Sequence, residues 1–171
     1  PIVGLLVFFV FFSTINIKTK VQVNDIYTGN TAIVDNVPAL ISMPASVIST
    51  AAYRIFDMLG WVEMIFNHIT VRVPGPEHHF LINPFGLRYH EVTASNLVLI
   101  DVDGNPVRES KWPVNRAGLV IHSALHSANE RAVCVMHTHT TTGMAVACLK
   151  DGLSPTNFYA AQLHGQVAYH D

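Results

Sequence analysis

Apolar side chains recur at helical spacing from Ser49 to Phe66: Ala52, Ile55, Phe56 and Leu59, then Val62, Ile65 and Phe66. The pattern predicts one or two helices, interrupted at Gly60. Two β-type runs follow, His68 to Val73 and His79 to Ile82. Between them Pro74-Gly75-Pro76 is a loop by its turn chemistry, so a β-hairpin is expected. Val98 to Val102 reads as a strand, and Asp103-Gly104 supplies the positive φ of a tight hairpin before Pro106-Val107. Asn115 is an N-cap for a helix running to about Asn129, with Ala117, Ile121, Ala124, Leu125 and Ala128 on one apolar face. Ala132 to Met136 is an apolar strand, and Thr140 to Leu149 a short helix closed by Asp151-Gly152. Gln166 to Tyr169 is a possible last strand. Helices and strands mix without strict βαβ alternation. The expected architecture is a layered α/β sandwich on a mostly antiparallel sheet.

Residues 2 to 12 form an uncharged apolar run of 11, with Ser13, Thr14, Lys18 and Lys20 after it. A bilayer span needs about 20 residues, so this run is too short to cross one. It fits the core of a targeting segment, a start that belongs to a longer chain, or a buried strand. From Val21 to Ser49 no period holds, and turn formers cluster at Thr28-Gly29-Asn30, Pro38 and Pro44. The expected division is a partly ordered leader over 1–48 and a folded domain over 49–171.

Composition sharpens the picture. Only 13% of the 171 residues are charged while 50% are hydrophobic. An ordinary domain carries roughly 25% charged residues, so a large core or a subunit interface is expected. A net charge of −2 leaves no basic field for phosphate backbones, which argues against nucleic-acid binding. Cys134 and Cys148 both sit among small apolar residues and read as reduced core thiols of a cytoplasmic protein.

The most specific local feature is His137-Thr138-His139, directly after an apolar strand. Side chains two apart in an extended segment project to one side, so both imidazoles can converge on one ion. The other reading is two histidines hydrogen-bonded to backbone at a strand end. His122 and His126, four apart, share a helix face, but Ser123 stands where a zinc protease needs Glu, and they read as packed or surface histidines. His78, His79, His164 and His170 read singly as structural. Asp101, Asp103 and Asn105 begin like a calcium loop, but Trp112 occupies the closing position, leaving a hairpin turn. No serine-hydrolase elbow, phosphate-binding loop or dinucleotide fingerprint is present.

In order along the chain stand Phe66-Asn67-His68-Ile69-Thr70-Val71-Arg72, Phe80-Leu81-Ile82-Asn83-Pro84-Phe85-Gly86, Glu91-Val92-Thr93-Ala94-Ser95-Asn96-Leu97-Val98, Val114-Asn115-Arg116-Ala117-Gly118 and Cys134-Val135-Met136-His137-Thr138-His139-Thr140. Together these segments, over roughly residues 50 to 171, resemble the class II aldolase/adducin N-terminal domain family. The resemblance implies a three-layer α/β/α sandwich around a mostly antiparallel sheet, and a homo-oligomer, usually a tetramer, with its site between subunits.

In the aldolase branch, zinc or another divalent metal held by histidines polarises the carbonyl of a small sugar-phosphate. By resemblance the first two ligands fall on His137 and His139, and the phosphate contacts on Asn67, Phe85 and Gly86. Two departures follow. The family's acid/base Glu falls on Gly118, and its third zinc histidine falls beyond Asp171. The Val-Asn-x-Ala-Gly and Ile-Asn-Pro-Phe-Gly stretches are closer to the adducin-like branch, whose animal members cap and bundle actin with the help of a basic C-terminal tail. Two functions are therefore expected: a metal-binding lyase-type domain, weak or inactive because of Gly118, or a non-catalytic adducin-like head for self-association and actin scaffolding.

Overall fold

The computed structural model describes residues 44–128, 132–164 and Val167. The apolar run 2–12 and nearly all of the possible strand Gln166 to Tyr169 lie outside the described residues.

The first element, helix α1 (Ala45–Met58), starts at Pro44, whose fixed φ suits a helix entry and whose carbonyl accepts the amides of Val47 and Ile48. Its end differs from the two-helix expectation. Gly60 takes φ +68 and donates to Asp57 O at 3.0 Å, while Trp61 N donates to Phe56 O at 2.9 Å. This pair of bonds is a Schellman closure, completed by the edge-to-face contact of Phe56 and Trp61. The positions Val62, Ile65 and Phe66 therefore belong to a turn-rich connection, not to a second helix.

Strands β1 (His68–Arg72), β2 (Phe80–Ile82), β3 (Val98–Ile100) and β4 (Cys134–His137) form one antiparallel sheet in the order β3-β2-β1-β4. The expected β1–β2 hairpin is present, with Thr70 opposite Ile82 and Arg72 opposite Phe80. The turn after β3 differs in kind. Gly104 is the αL residue at φ +84, its N–H reaches Asp101 O, and Asp101 N pairs with Asn105 O, giving a three-residue loop. The chain returns only as an isolated bridge between Ile100 and Pro106.

Side chains alternate across the sheet. One face carries Ile69, Val71, Cys134 and Met136 against Tyr53 and Phe56 of α1, with Tyr89 and Val92 from a 3-10 turn (Tyr89–Glu91) and the residue after it. Tyr53 donates its buried hydroxyl to the Ile69 carbonyl, tying helix to sheet. The opposite face carries His68, Thr70, Phe80, Ile82, Val98 and Ile100, covered by α2 (Arg116–Ala128) and by Trp112, Val114 and Leu119. The result is the three-layer α/β/α sandwich around an antiparallel sheet.

Helix α2 is capped as expected: Asn115 Oδ1 accepts the amides of Ala117 and Gly118. Its buried face is not the expected one. Ala117, Ala124 and Ala128 are exposed and Ile121 and Leu125 half-buried, whereas Gly118, His122 and His126 are buried against the sheet. The four-residue spacing holds for both stripes, and polar partners on β1 decide which one turns inward. The chain continues through α3 (Thr141–Ala147), N-capped by Thr140, and a short helix α4 (Phe158–Gln162) that the pattern did not predict. Of the two cysteines, Cys134 is buried as expected, but Cys148 is exposed; both are free thiols. No helix among the described residues is long and apolar enough to cross a membrane.

Candidate metal centre

The antiparallel register of β1 and β4 places His68 opposite His137, and their rings stack with centroids 4.6 Å apart. His139, two residues on, leaves the strand end and turns its ring back. Its Nε2 stands 2.6 Å from Nε2 of His137. The turn after the strand thus brings the two imidazoles together. The backbone N–H of His139 donates to Asn67 Oδ1 at 2.9 Å, and its Nδ1 lies 2.6 Å from Glu63 Oε2.

Behind this pair lies a buried polar layer. His126 Nδ1 faces the Ala132 carbonyl at 2.8 Å, so that nitrogen carries the proton and Nε2 accepts. Thr70 Oγ1, 2.8 Å from His126 Nε2, then donates to it and accepts from His122 Nδ1 at 2.7 Å. His122 Nε2 is left as a buried lone pair without a partner. His68 repeats the logic: Nδ1 points to the Phe66 carbonyl at 3.2 Å, and Nε2 is buried and unpartnered. Burial, disfavouring the charged form, pulls His68 and His126 down to about 4, His137 to about 3 and His122 to about 2. The buried imidazoles are neutral at physiological pH, the state a metal ligand requires.

The donor chemistry fits a divalent cation in part. The Nε2 atoms of His137 and His139 meet at hydrogen-bond distance, closer than two ligands of one tetrahedral ion stand, and among the described residues no third His, Cys, Asp or Glu joins them into a group of three. His164 is exposed beyond α4, and His170 lies outside the described residues.

The sequence-derived phosphate residues divide. Asn67 is buried and committed through Oδ1 to His139, with Nδ2 unpartnered. Phe85 and Gly86 lie on the turn after β2, where Phe85 N donates to Pro113 O and Gly86, at φ +99, faces open space. The contacts of His137 and His139 do not include them. They do share one end of the sheet, since the register sets the end of β2 and the end of β4 beside the start of β1.

Position 118 is closed to larger residues. A Cβ there would stand 2.3 Å from Nε2 and Cδ2 of His68. Reading the sequence by spacing missed the contacts of His68 with His137 and of Glu63 with His139. His68 could have been found as a polar residue at an inward position of a buried strand; Glu63 carried no local signal.

The antiparallel three-layer sandwich with paired imidazoles at one strand end defines a class II aldolase type of domain. The family model of the class II aldolase and adducin N-terminal domain matches residues 49–171, and the chain belongs to that family. A model of the N-terminal region of TraG-like proteins also matches residues 2–69, less than half the chain. Among solved structures, an aldolase II superfamily protein from Pseudomonas syringae is 47% identical with a TM-score of 0.71, over 74% of this chain and 51% of that one. The L-fuculose 1-phosphate aldolase of Glaciozyma antarctica is 35% identical with a TM-score of 0.66, over 71% of this chain and 50% of that one. Alpha-adducin of Rattus norvegicus is 48% identical over 71% of this chain and 17% of its own length. The chain spans about half or less of the length of these relatives.

Proposed function

We propose that this chain is a divalent-metal-binding domain of the class II aldolase type, with His137 and His139 supplying two ligands to zinc or a similar ion. The observation that carries this reading is the meeting of their Nε2 atoms, now hydrogen-bonded at 2.6 Å, which an ion would part to stand between. A bound ion would polarise the carbonyl of a small hydroxy-carbonyl or sugar-phosphate ligand. Asn67 would hold the loop that presents His139, and the Phe85-Gly86 turn would receive the phosphate at the same end of the sheet. Further ligands would come from another subunit of a homo-oligomer or from residues beyond Asp171, in a cytoplasmic setting that keeps the thiols reduced. Lyase turnover by this chain is weak or nil, because Gly118 offers no side chain to move a proton.

The alternative is a non-catalytic adducin-like head that assembles subunits and serves actin-cytoskeleton scaffolding. The close approach of Gly118 to His68 favours it, since that packing leaves no room for a Glu at 118. Zinc titration by calorimetry separates the two. The metal reading expects saturable binding, weakened by His137→Ala; no binding by the wild-type chain, together with a sedimenting oligomer, supports the scaffold instead.

A further inference from the structure

Glu63 lies between α1 and β1, and its Oε2 stands 2.6 Å from Nδ1 of His139. Four residues on, Asn67 Oδ1 accepts the backbone N–H of the same histidine at 2.9 Å. One short segment thus holds His139 by ring and by main chain. Its backbone is shaped accordingly. Gly60 closes the preceding helix, Phe66 N donates back to the Glu63 carbonyl at 3.0 Å, and Met64 takes φ +45, a conformation uncommon for a residue with a side chain. Such outliers cluster where a site needs them.

The chemistry of the contact is directional. A carboxylate only accepts hydrogen bonds, so the proton of a neutral His139 sits on Nδ1. The lone pair is then on Nε2, where it accepts the Nε2–H of His137 at 2.6 Å. Glu63 touches the opposite side of the ring, so it acts through the imidazole and does not reach an ion held at Nε2. Carboxylate, imidazole and metal in that order are a recurrent way of fixing ligand tautomer and raising ligand basicity.

We propose that Glu63 is the positioning residue of the metal centre: it holds His139 as the Nδ1–H tautomer and turns its Nε2 lone pair to the point shared with His137, where a divalent cation binds. The inference rests on the metal reading above, and two measurements keep the two apart. In the metal-free chain, long-range proton–nitrogen correlation spectra report the tautomer of His139. The Nδ1–H form is expected in the wild type, and a tautomer mixture in Glu63→Ala. In a zinc competition against a chromophoric chelator, Glu63→Ala binds about 10- to 100-fold more weakly than wild type. Glu63→Gln falls between them, because its amide oxygen still accepts without the charge. A merely structural Glu63 would lower the melting temperature of these variants and leave the tautomer in place. His139 found as Nε2–H in the wild type, or zinc affinity unchanged in Glu63→Ala, overturns the proposal. A wild-type chain that binds no zinc removes the cation and with it this role, while the tautomer still shows whether Glu63 orients the ring.

Discussion

Gly118 and His68 compete for the same space: a Cβ on residue 118 would lie 2.3 Å from the imidazole of His68, itself stacked on His137 and tilted against His122. Gly118→Ala therefore forces a buried ring to move, and overpacking of this kind costs about 1–3 kcal/mol. Denaturant unfolding should show the loss. In a His68→Ala background the same substitution should cost nothing, or gain a little from the higher helix propensity of alanine. Equal effects in both backgrounds would mean that the ring does not define the space at 118.

Thr70 is the hinge of the buried polar layer, since one hydroxyl serves both His122 and His126. Thr70→Val keeps the shape and removes the hydroxyl. It leaves two buried ring nitrogens without partners, each costing about 1–3 kcal/mol. Thr70→Ser keeps the hydroxyl and should recover most of the stability. A Val variant as stable as wild type would show that the layer is satisfied in another way.

The same layer sets an acid limit. Burial holds His126 down to about 4 and His122 to about 2, below the 6.5 of an exposed imidazole. As pH falls, the unfolded chain takes up protons first. Stability is therefore full above about pH 6.5 and is lost as pH falls towards about 4, with His122 extending the loss lower. His68 and His137, lowered to about 4 and about 3, act in the same direction. Each unit of depression corresponds to ~1.4 kcal/mol. Unfolding free energies of the metal-free chain should decline steadily from pH 7 to pH 5; a flat profile would contradict neutral buried histidines.

The two thiols should separate in a labelling experiment. Cys134 is buried on the α1 face of β4, where desolvation pushes its thiol up to about 12. Cys148 is exposed at the end of α3. An alkylating reagent near neutral pH should modify Cys148 in the folded chain and reach Cys134 only after unfolding. Mass spectrometry showing equal rates would mean that β4 opens readily.

These elements differ in how far the sequence disclosed them. The β-branched runs of β1 and the Asn115 cap were legible because alternation and capping are local. The end of α1 was not, since the apolar positions continue to Phe66 while the Schellman bonds at Gly60 and Trp61 stop the helix. The inward face of α2 was misread for a different reason. Counting apolar residues selects Ala117 and Ile121, but Thr70 and His68 on the sheet reward two imidazoles and a glycine instead. The nearness of His137 and His139 was legible from their spacing. Their supports were not, because Asn67 reaches His139 across 72 residues of sequence through strand pairing.

Turnover depends on position 118. General acid/base transfer commonly contributes about 10²–10⁴-fold to a rate, and a glycine has no group to provide it. Among the described residues no three His, Cys, Asp or Glu side chains gather to hold an ion, whereas a catalytic zinc site usually has three protein ligands. Cleavage of sugar 1-phosphates by the chain should therefore be negligible in a coupled assay, even at saturating zinc. Gly118→Glu should not restore it, because the new side chain would have to pass through the ring of His68. Cleavage at rates ordinary for enzymes, abolished by His137→Ala, would show that another residue moves the proton and that Gly118 does not silence the site.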